Sequence, residues 1–393
     1  MCPAGRSHER TEIPTTQPVS GGWLPGQDLG ARKLVRIGSV RLEVGGRLPG
    51  VSIAYETFGT LNADRSNAVL VLHALTGDTH VTSVTDPDPA GPGWWNGIVG
   101  PGRAIDTDTY FVVVPNVLGG CQGTTGPGTL SPGGTPWGAR FPVLTVRDQV
   151  AAEVRLADAL GISSFALVVG GSVGGQRAIE WAVSAPERVD RVAVIASNAQ
   201  TTADQIAWAH PQLAAIELDP GWLGGDYYDA PAGEGPHRGL AIARQIAHTT
   251  YRTAFELDQR FGRIAQGAEE PLDGGRFAVQ SYLDHHGGKL AARFDAGSYV
   301  ALTRTMLTHD IGRDRGGVEA ALESVRAHTL ALAVSSDRLF LPEQSERIAD
   351  GVSGPSDFVL VDTPYGHDGF LIESDQVGAA IEDLLGQKVD SYL

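Results

Sequence analysis

The sequence predicts an α/β fold, with a mostly parallel central sheet flanked by helices and a block of helices inserted late in the chain. Three observations carry this. Short runs that are apolar on both faces recur at 68–73, 111–116 and 164–169, and a strand covered on both sides reads this way. Helical patterns alternate with them, the grammar of strand–helix–strand units. From about 200 to 326 the strand pattern stops, helical stretches separated by Gly- and Pro-bearing connections take over, and strands then resume.

Taken in order, residues 1–30 are rich in Pro, Gly, Thr and charge and predict a mobile tail. The core's first part spans 31–199. It opens with short alternating segments at 40–44 and 51–55, the pattern of an edge hairpin. The run 68–73 predicts a central strand ending in His73-Ala74-Leu75-Thr76-Gly77-Asp78. The run 111–116 predicts another, followed by a long loop to about 140 dense in Gly, Pro and Thr, and so long a loop is usually functional. Val146, Val150, Val154 and Ala157 share one helical face. That helix leads to a strand over 164–169, and 192–196 predicts the next. The helical insertion over 200–326 includes stretches at 239–257 and 297–308. The second part of the core, 327–393, holds strands at 329–334 and 358–362 and a last helix over 375–385.

Composition narrows the function. The chain has 393 residues, 42% of them hydrophobic, and a formal net charge of −16. Acidity of this size disfavours nucleic acid and anionic membrane as partners. No apolar run approaches the ~18 residues of a membrane span, and no apolar leader is evident. The two cysteines, Cys2 and Cys121, stand far apart, which suits a reducing cytoplasm better than a structural disulfide. No His or Cys spacing suggests a metal site.

The chemistry centres on Gly170-Gly171-Ser172-Val173-Gly174. A strand precedes it and a helix follows, the context a G-x-S-x-G nucleophile elbow demands. A serine at the tip of so tight a turn has a strained backbone, and glycines on either side let neighbouring segments pass close. The bland reading is a Gly-rich connection with an incidental serine. Two late strands supply partners: Asp337 follows one and His367 the next, in the order Ser, Asp, His of the α/β-hydrolase fold. His367 would serve Ser172 as general base, and Asp337 would hold its tautomer. Asp337 could instead cap the following helix, and His367 could be a loop hydrogen-bonder. Two backbone N–H groups, Val173 and Leu75, are the expected oxyanion donors. His73 has two readings, catalytic base or hydrogen-bonded structural residue, and the second is preferred. Cys121 reads as a small buried filler.

Longer matches support a resemblance. Beside the elbow stand His73-Ala74-Leu75-Thr76-Gly77-Asp78, Gly93-Trp94-Trp95-Asn96-Gly97, Asn116-Val117-Leu118-Gly119-Gly120-Cys121, Gln280-Ser281-Tyr282-Leu283, Arg293-Phe294-Asp295 and Tyr365-Gly366-His367-Asp368-Gly369-Phe370. With these, from about residue 35 onward, the chain resembles the homoserine O-acetyltransferases, acyl-CoA-dependent enzymes of methionine synthesis with the α/β-hydrolase fold. The resemblance implies acetyl transfer from acetyl-CoA, a co-substrate with no further cofactor, to L-homoserine through a seryl acyl-enzyme. It implies that Arg244, in the helical lid, binds the amino-acid carboxylate, that Asp368 holds the ammonium, and that Tyr251 is a second contact. It also implies a two-fold dimer, and the apolar positions Ile206, Leu213, Leu257 and Phe261 of the insertion, which has no sheet of its own, are expected to pack on the other subunit. By residue type alone Arg244 could be a solvated helix charge and Asp368 a turn residue. One position departs: the residue after the nucleophile is often Met in that family and is Val173 here, which bears on the acyl pocket and not on its backbone donor. Succinyl-CoA as donor, L-serine as acceptor, a plain serine hydrolase and a non-catalytic binding protein remain open at this point.

Overall fold

The doubly apolar runs become the centre of the sheet. In the computed structural model, which describes residues 17–83, 88 and 91–387, the strands are β1 (Lys33–Arg41), β2 (Arg47–Phe58), β3 (Ala68–Leu72), β4 (Val99–Gly100), β5 (Ile105–Asp106), β6 (Phe111–Pro115), β7 (Leu167–Gly171), β8 (Arg191–Ile195), β9 (His328–Val334) and β10 (Ser356–Val361). Eight of them form one sheet in the order β1-β2-β6-β3-β7-β8-β9-β10. The β1–β2 and β2–β6 pairs are antiparallel and the rest are parallel. β4 and β5 make a separate small pair.

Alternate residues of the central strands feed two cores. Leu70, Leu72, Val168, Val192 and Val194 pack on one face with helices α1 (Val146–Leu160) and α2 (Val173–Ser184). Val69, Val71, Leu167, Val169, Ala193 and Ile195 pack on the other, together with Trp95 and the apolar side of the last helix. This is the period-two alternation of a strand, used on both faces because both are covered. Thr145 starts α1 with a capping box: its hydroxyl accepts from Asp148 N–H, and Asp148 accepts from the Thr145 N–H.

The insertion is helical among the described residues. It contains α3 (Ala203–Glu217), α4 (His237–Tyr251), α5 (Ala254–Phe261), α6 (Ala278–Ala291), α7 (Ala296–Leu307) and α8 (Val318–Glu323). The remaining helices are α9 (Pro342–Gly351), α10 (Gly369–Ile372) and α11 (Ser374–Gly386). A third apolar cluster joins the insertion to the C-terminal edge of the sheet. Leu75, Val117 and Val173 from the edge meet Ala209 and Ile216 of α3, Leu240 and Ala243 of α4, Leu290 of α6, and Tyr299 and Leu302 of α7. Burying side chains such as Ile216 and Leu290 stabilises this contact by about 1.5–3 kcal/mol each.

Two expectations are corrected here. The tail expected over 1–30 does not extend that far. Residues 1–16 lie outside the described part, but Val19 and Ser20 are buried. Ser20 Oγ donates to Asp295 Oδ1 at 2.8 Å, and Trp23 N–H donates to Cys121 O at 2.7 Å. Composition misled because the segment is held by partners far along the chain: Val19 in the third apolar cluster, Ser20 on Asp295 and Trp23 on Cys121. The single helix expected over 239–257 is two helices, α4 and α5. Thr253 breaks it by taking an extended backbone and capping the second helix through Glu256 N–H.

Candidate active site

Because β3 and β6 to β10 run parallel, the loops that leave them share one edge, and Ser172, Asp337 and His367 each follow such a strand. Ser172 sits between β7 and α2 with φ 58° and ψ −125°. Non-glycine residues pay for such a backbone, and it persists only where its surroundings over-determine it. Here they do. Ser172 N–H donates to Ile195 O at 2.9 Å, and Ser172 O accepts from Ser197 Oγ at 2.7 Å. A Cβ on Gly170 would lie 2.3 Å from the Gly174 carbonyl, and one on Gly174 2.1 Å from Leu72 O. The glycines therefore let the elbow close on itself and on the end of β3. Ser172 Oγ does not cap α2.

His367 Nδ1 lies 2.6 Å from Asp337 Oδ2, with both side chains buried. Asp337 Oδ1 accepts from Leu339 and Phe340 N–H at 2.8 and 2.9 Å. Both carboxylate oxygens thus have partners, which fixes the face turned to the imidazole. Burial opposes charge on His367, but the Asp337 carboxylate outweighs it and holds the imidazole pKa above its ordinary value. The ring is stacked on Phe340, with centroids 5.2 Å apart, and meets the edge of Phe370 at 5.4 Å. Phe370 also lies against the elbow, since a Cβ on Gly171 would come within 2.4 Å of its ring. Phe370 is the physical link between the histidine turn and the serine turn.

The two expected oxyanion donors come from adjoining segments. Val173 is the first residue of α2, so its N–H has no acceptor within the helix. Leu75 lies in the loop after β3, and its N–H donates to no backbone carbonyl among the described residues. That loop is held by a buried network on α1 and α2. Arg177 donates to His73 O and to Glu153, and Trp181 Nε1 donates to Glu153 at 2.8 Å. His73 itself is structural. Its Nδ1 lies 2.7 Å from Ala74 O, its Nε2 accepts from Val117 N–H at 3.1 Å, and burial together with Arg177 pushes its pKa down to about 3. A ring fixed as the Nδ1–H tautomer between two backbone groups has no nitrogen left for Ser172. Cys121 is buried, and burial drives its thiol well above the usual range, as expected for a filler.

Arg244 and Tyr251 both lie on α4, two turns apart. The Arg244 guanidinium lies 5.0 Å over the Tyr251 ring, and that ring is 5.8 Å from His367. Asp368 is largely buried. Burial raises its pKa above the usual carboxylate value against the pull of Arg252, His367 and Arg244. The structure therefore gathers Arg244, Tyr251 and Asp368 around His367. It adds one group that sequence reasoning missed: Arg252, whose Nε is 3.2 Å from Asp368 Oδ2. The i, i+4 pair Arg252–Glu256 was a readable signal. An unbroken helix would have hidden its meaning, because only the break at Thr253 brings Arg252 onto the histidine turn.

A sheet of this strand order with a strained serine at its C-terminal edge is that of an α/β-hydrolase-fold protein, and the sequence profile of the alpha/beta hydrolase fold matches residues 67–374. The chain is 58% identical over 371 residues to a homoserine O-acetyltransferase of Thermobifida fusca, covering 94% of this chain and 98% of that one. Among solved structures it is similar to homoserine O-acetyltransferase from Bacillus anthracis, with TM-score 0.85, 27% identity, and 92% and 99% of the two chains covered. It is also similar to an acetylester hydrolase from Corynebacterium glutamicum, with TM-score 0.77, 26% identity, and 91% and 97% covered. The chain belongs to the homoserine O-acetyltransferase family and is an acyltransferase.

Proposed function

We propose that the enzyme transfers the acetyl group of acetyl-CoA to the side-chain hydroxyl of L-homoserine in two steps. Ser172 gives its proton to His367 Nε2 and attacks the thioester carbon. The oxyanion rests on the Val173 and Leu75 N–H groups, and CoA leaves as the thiol with the proton from His367. Homoserine then binds with its carboxylate on Arg244 and its ammonium on Asp368, beside Tyr251. His367 takes the hydroxyl proton, the new ester forms, and Ser172 regains its proton from the imidazolium. No cofactor is needed beyond acetyl-CoA as co-substrate. The observation that carries this reading is the buried 2.6 Å His367–Asp337 bond, with an arginine and a second carboxylate around the same imidazole.

The helical insertion, roughly 200–326, acts as a lid over the edge and limits water, the competing acceptor. The lid also carries a homodimer contact. Seven of the fifteen exposed large apolar side chains among the described residues lie in it, Ile206, Ile242, Phe255 and Ile264 among them. Of the four apolar positions expected at that contact, Ile206 is exposed, Leu257 and Phe261 are half-buried, and Leu213 is half-buried against the chain's own apolar cluster. No helix among the described residues is long and apolar enough to cross a membrane. We place the enzyme in the cytoplasm, at the step that commits homoserine to methionine.

The test is purified protein with an acyl-CoA panel against homoserine and serine, following free thiol and product mass. Acceptor-dependent thiol release with O-acetylhomoserine as product supports the reading. Free acetate without an acylated amino acid would favour hydrolysis, the activity named for the similar acetylester hydrolase.

A further inference from the structure

Arg252 is the joint between α4 and α5, and it is fixed to the histidine turn. A Cβ on Gly366 would meet Tyr251 O at 2.7 Å and the Arg252 backbone at 3.3 Å. Thr253 Oγ1 donates to Pro364 O at 2.6 Å and accepts from Glu256 N–H at 3.0 Å. From this joint the Arg252 side chain reaches between two carboxylates. Nε is 3.2 Å from Asp368 Oδ2, and Nη1 is 4.0 Å from Glu256 Oε1. All three side chains are at least four-fifths buried.

Neither contact is a completed bond. Arg252 Nε is close to Asp368 but misaligned, and Arg252 Nε and Glu256 Oε2 are both buried without a hydrogen-bond partner among the described residues. Buried charged groups are normally satisfied, and those that are not call for an explanation. A guanidinium poised between two acceptors, with a spare acceptor oxygen on the far one, has two available positions. Arg260 also approaches Glu256, at 3.7 Å, but its side chain is half exposed and its pull is screened.

We propose that Arg252 stands in for the acceptor's ammonium: it neutralises Asp368 until an amino-acid acceptor binds, then turns to Glu256. This rests on the acceptor reading of Asp368 given above. Two cations cannot share one buried carboxylate cheaply, so the incoming ammonium must displace the guanidinium, and Glu256 is where it goes. The charged and titratable groups facing Asp368 are Arg244 and Tyr251 from α4, Arg252 from the joint after it, Tyr282 from α6, Asp337 from the loop after β9, and His367 beside it. Glu256 therefore acts at a distance as a positioning residue for acceptor choice. An acceptor without an amino group cannot drive the exchange and does not need it.

The test compares homoserine with 4-hydroxybutyrate, the same chain without the amine, in wild type, Glu256→Gln, Arg252→Gln and the double variant. The acetyl-CoA thiol burst monitors an intact fold in each. Glu256→Gln should lower kcat/KM for homoserine about tenfold, through KM, and change 4-hydroxybutyrate by less than about twofold. In the Arg252→Gln background, with no guanidinium to receive, Glu256→Gln should change homoserine by less than about twofold. Equal losses for both acceptors, or additive losses in the double variant, overturn the proposal alone. A wild-type enzyme that releases thiol but never acylates homoserine overturns the functional reading and this proposal with it.

Discussion

Asp337→Asn isolates the contribution of one charge. The amide oxygen of an asparagine can still accept from Leu339 and Phe340 N–H, so the loop keeps its anchor. The amide nitrogen then faces His367 Nδ1, which must become an acceptor. The proton moves to Nε2, the atom that must receive the Ser172 proton, and the base is lost as a base. The charge is lost as well. An imidazolium next to a carboxylate about 4 Å from its charge centre gains roughly 4 kcal/mol at an effective dielectric near 20. With the wrong tautomer added, the loss is about 5 kcal/mol, or close to 10⁴ in rate. The acid limb has a definite sign. Acylation needs neutral His367, so the rate rises with pH through the imidazole pKa. Asp337 holds that pKa up against burial. Without the carboxylate, burial prevails and the limb moves to lower pH while the plateau falls. Stopped-flow thiol release from acetyl-CoA between pH 5 and 9 reads both quantities. A plateau loss below about tenfold, or a limb that stays or moves upward, would refute the pairing as the source of basicity.

Incubation with acetyl-CoA alone should place one acetyl group on the peptide that contains Ser172, and Ser172→Ala should abolish it; label on Cys121 would defeat the assignment. Arg244→Ala should keep the thiol burst yet turn over homoserine at least about tenfold less well, since losing one partner of a desolvated pair costs about 2–5 kcal/mol, and Arg244→Lys should recover part. A burst lost together with turnover would move Arg244 to CoA binding or folding. Stability should fall with acid between about pH 6.5 and 4, because unfolded histidine takes up a proton that buried His73 and His309, pushed down to about 3 and about 4, refuse. Two such groups cost at most about 3 kcal/mol per pH unit, a melting shift of roughly 3–4 °C per unit, and a Tm level from pH 6.5 to 5 would contradict it. Light scattering should give a dimer mass at micromolar concentration, and a monomer mass would remove the lid contact.

The sheet was legible because its signal is local. Five consecutive buried residues in β3 and again in β7 cannot be solvated strands, and strand followed at once by Gly-Gly-Ser-Val-Gly-Gly has few physical solutions. The pairing of Asp337 with His367 was legible for a different reason. Parallel strands send their C-terminal loops to one edge, so two residues after successive strands become neighbours whatever helix lies between them. The segment 17–24 was not legible. Its order depends on Asp295, a carboxylate that accepts from Ser20, Tyr227, Tyr228 and Ser298 and lies far along the chain.

The acceptor side shows where sequence periodicity stops being informative. Positions 244, 248, 251 and 252 fall on one face of a helix, so pattern alone gathers Arg244, His248, Tyr251 and Arg252. It cannot say that the helix stops there. Threonine is only a mediocre helix residue, and whether Thr253 continues α4 or caps α5 depends on whether something else takes its hydroxyl. Here Glu256 N–H uses the acceptor side, a local cap of α5, while Pro364 O takes the donor side, a bond that requires the histidine turn to be already in place. The break is thus a tertiary fact. Without it Arg252 would be one more charge on a long helix. With it the guanidinium sits against Asp368 and within reach of Glu256, and the site acquires a third charge that the motif around His367 never announced.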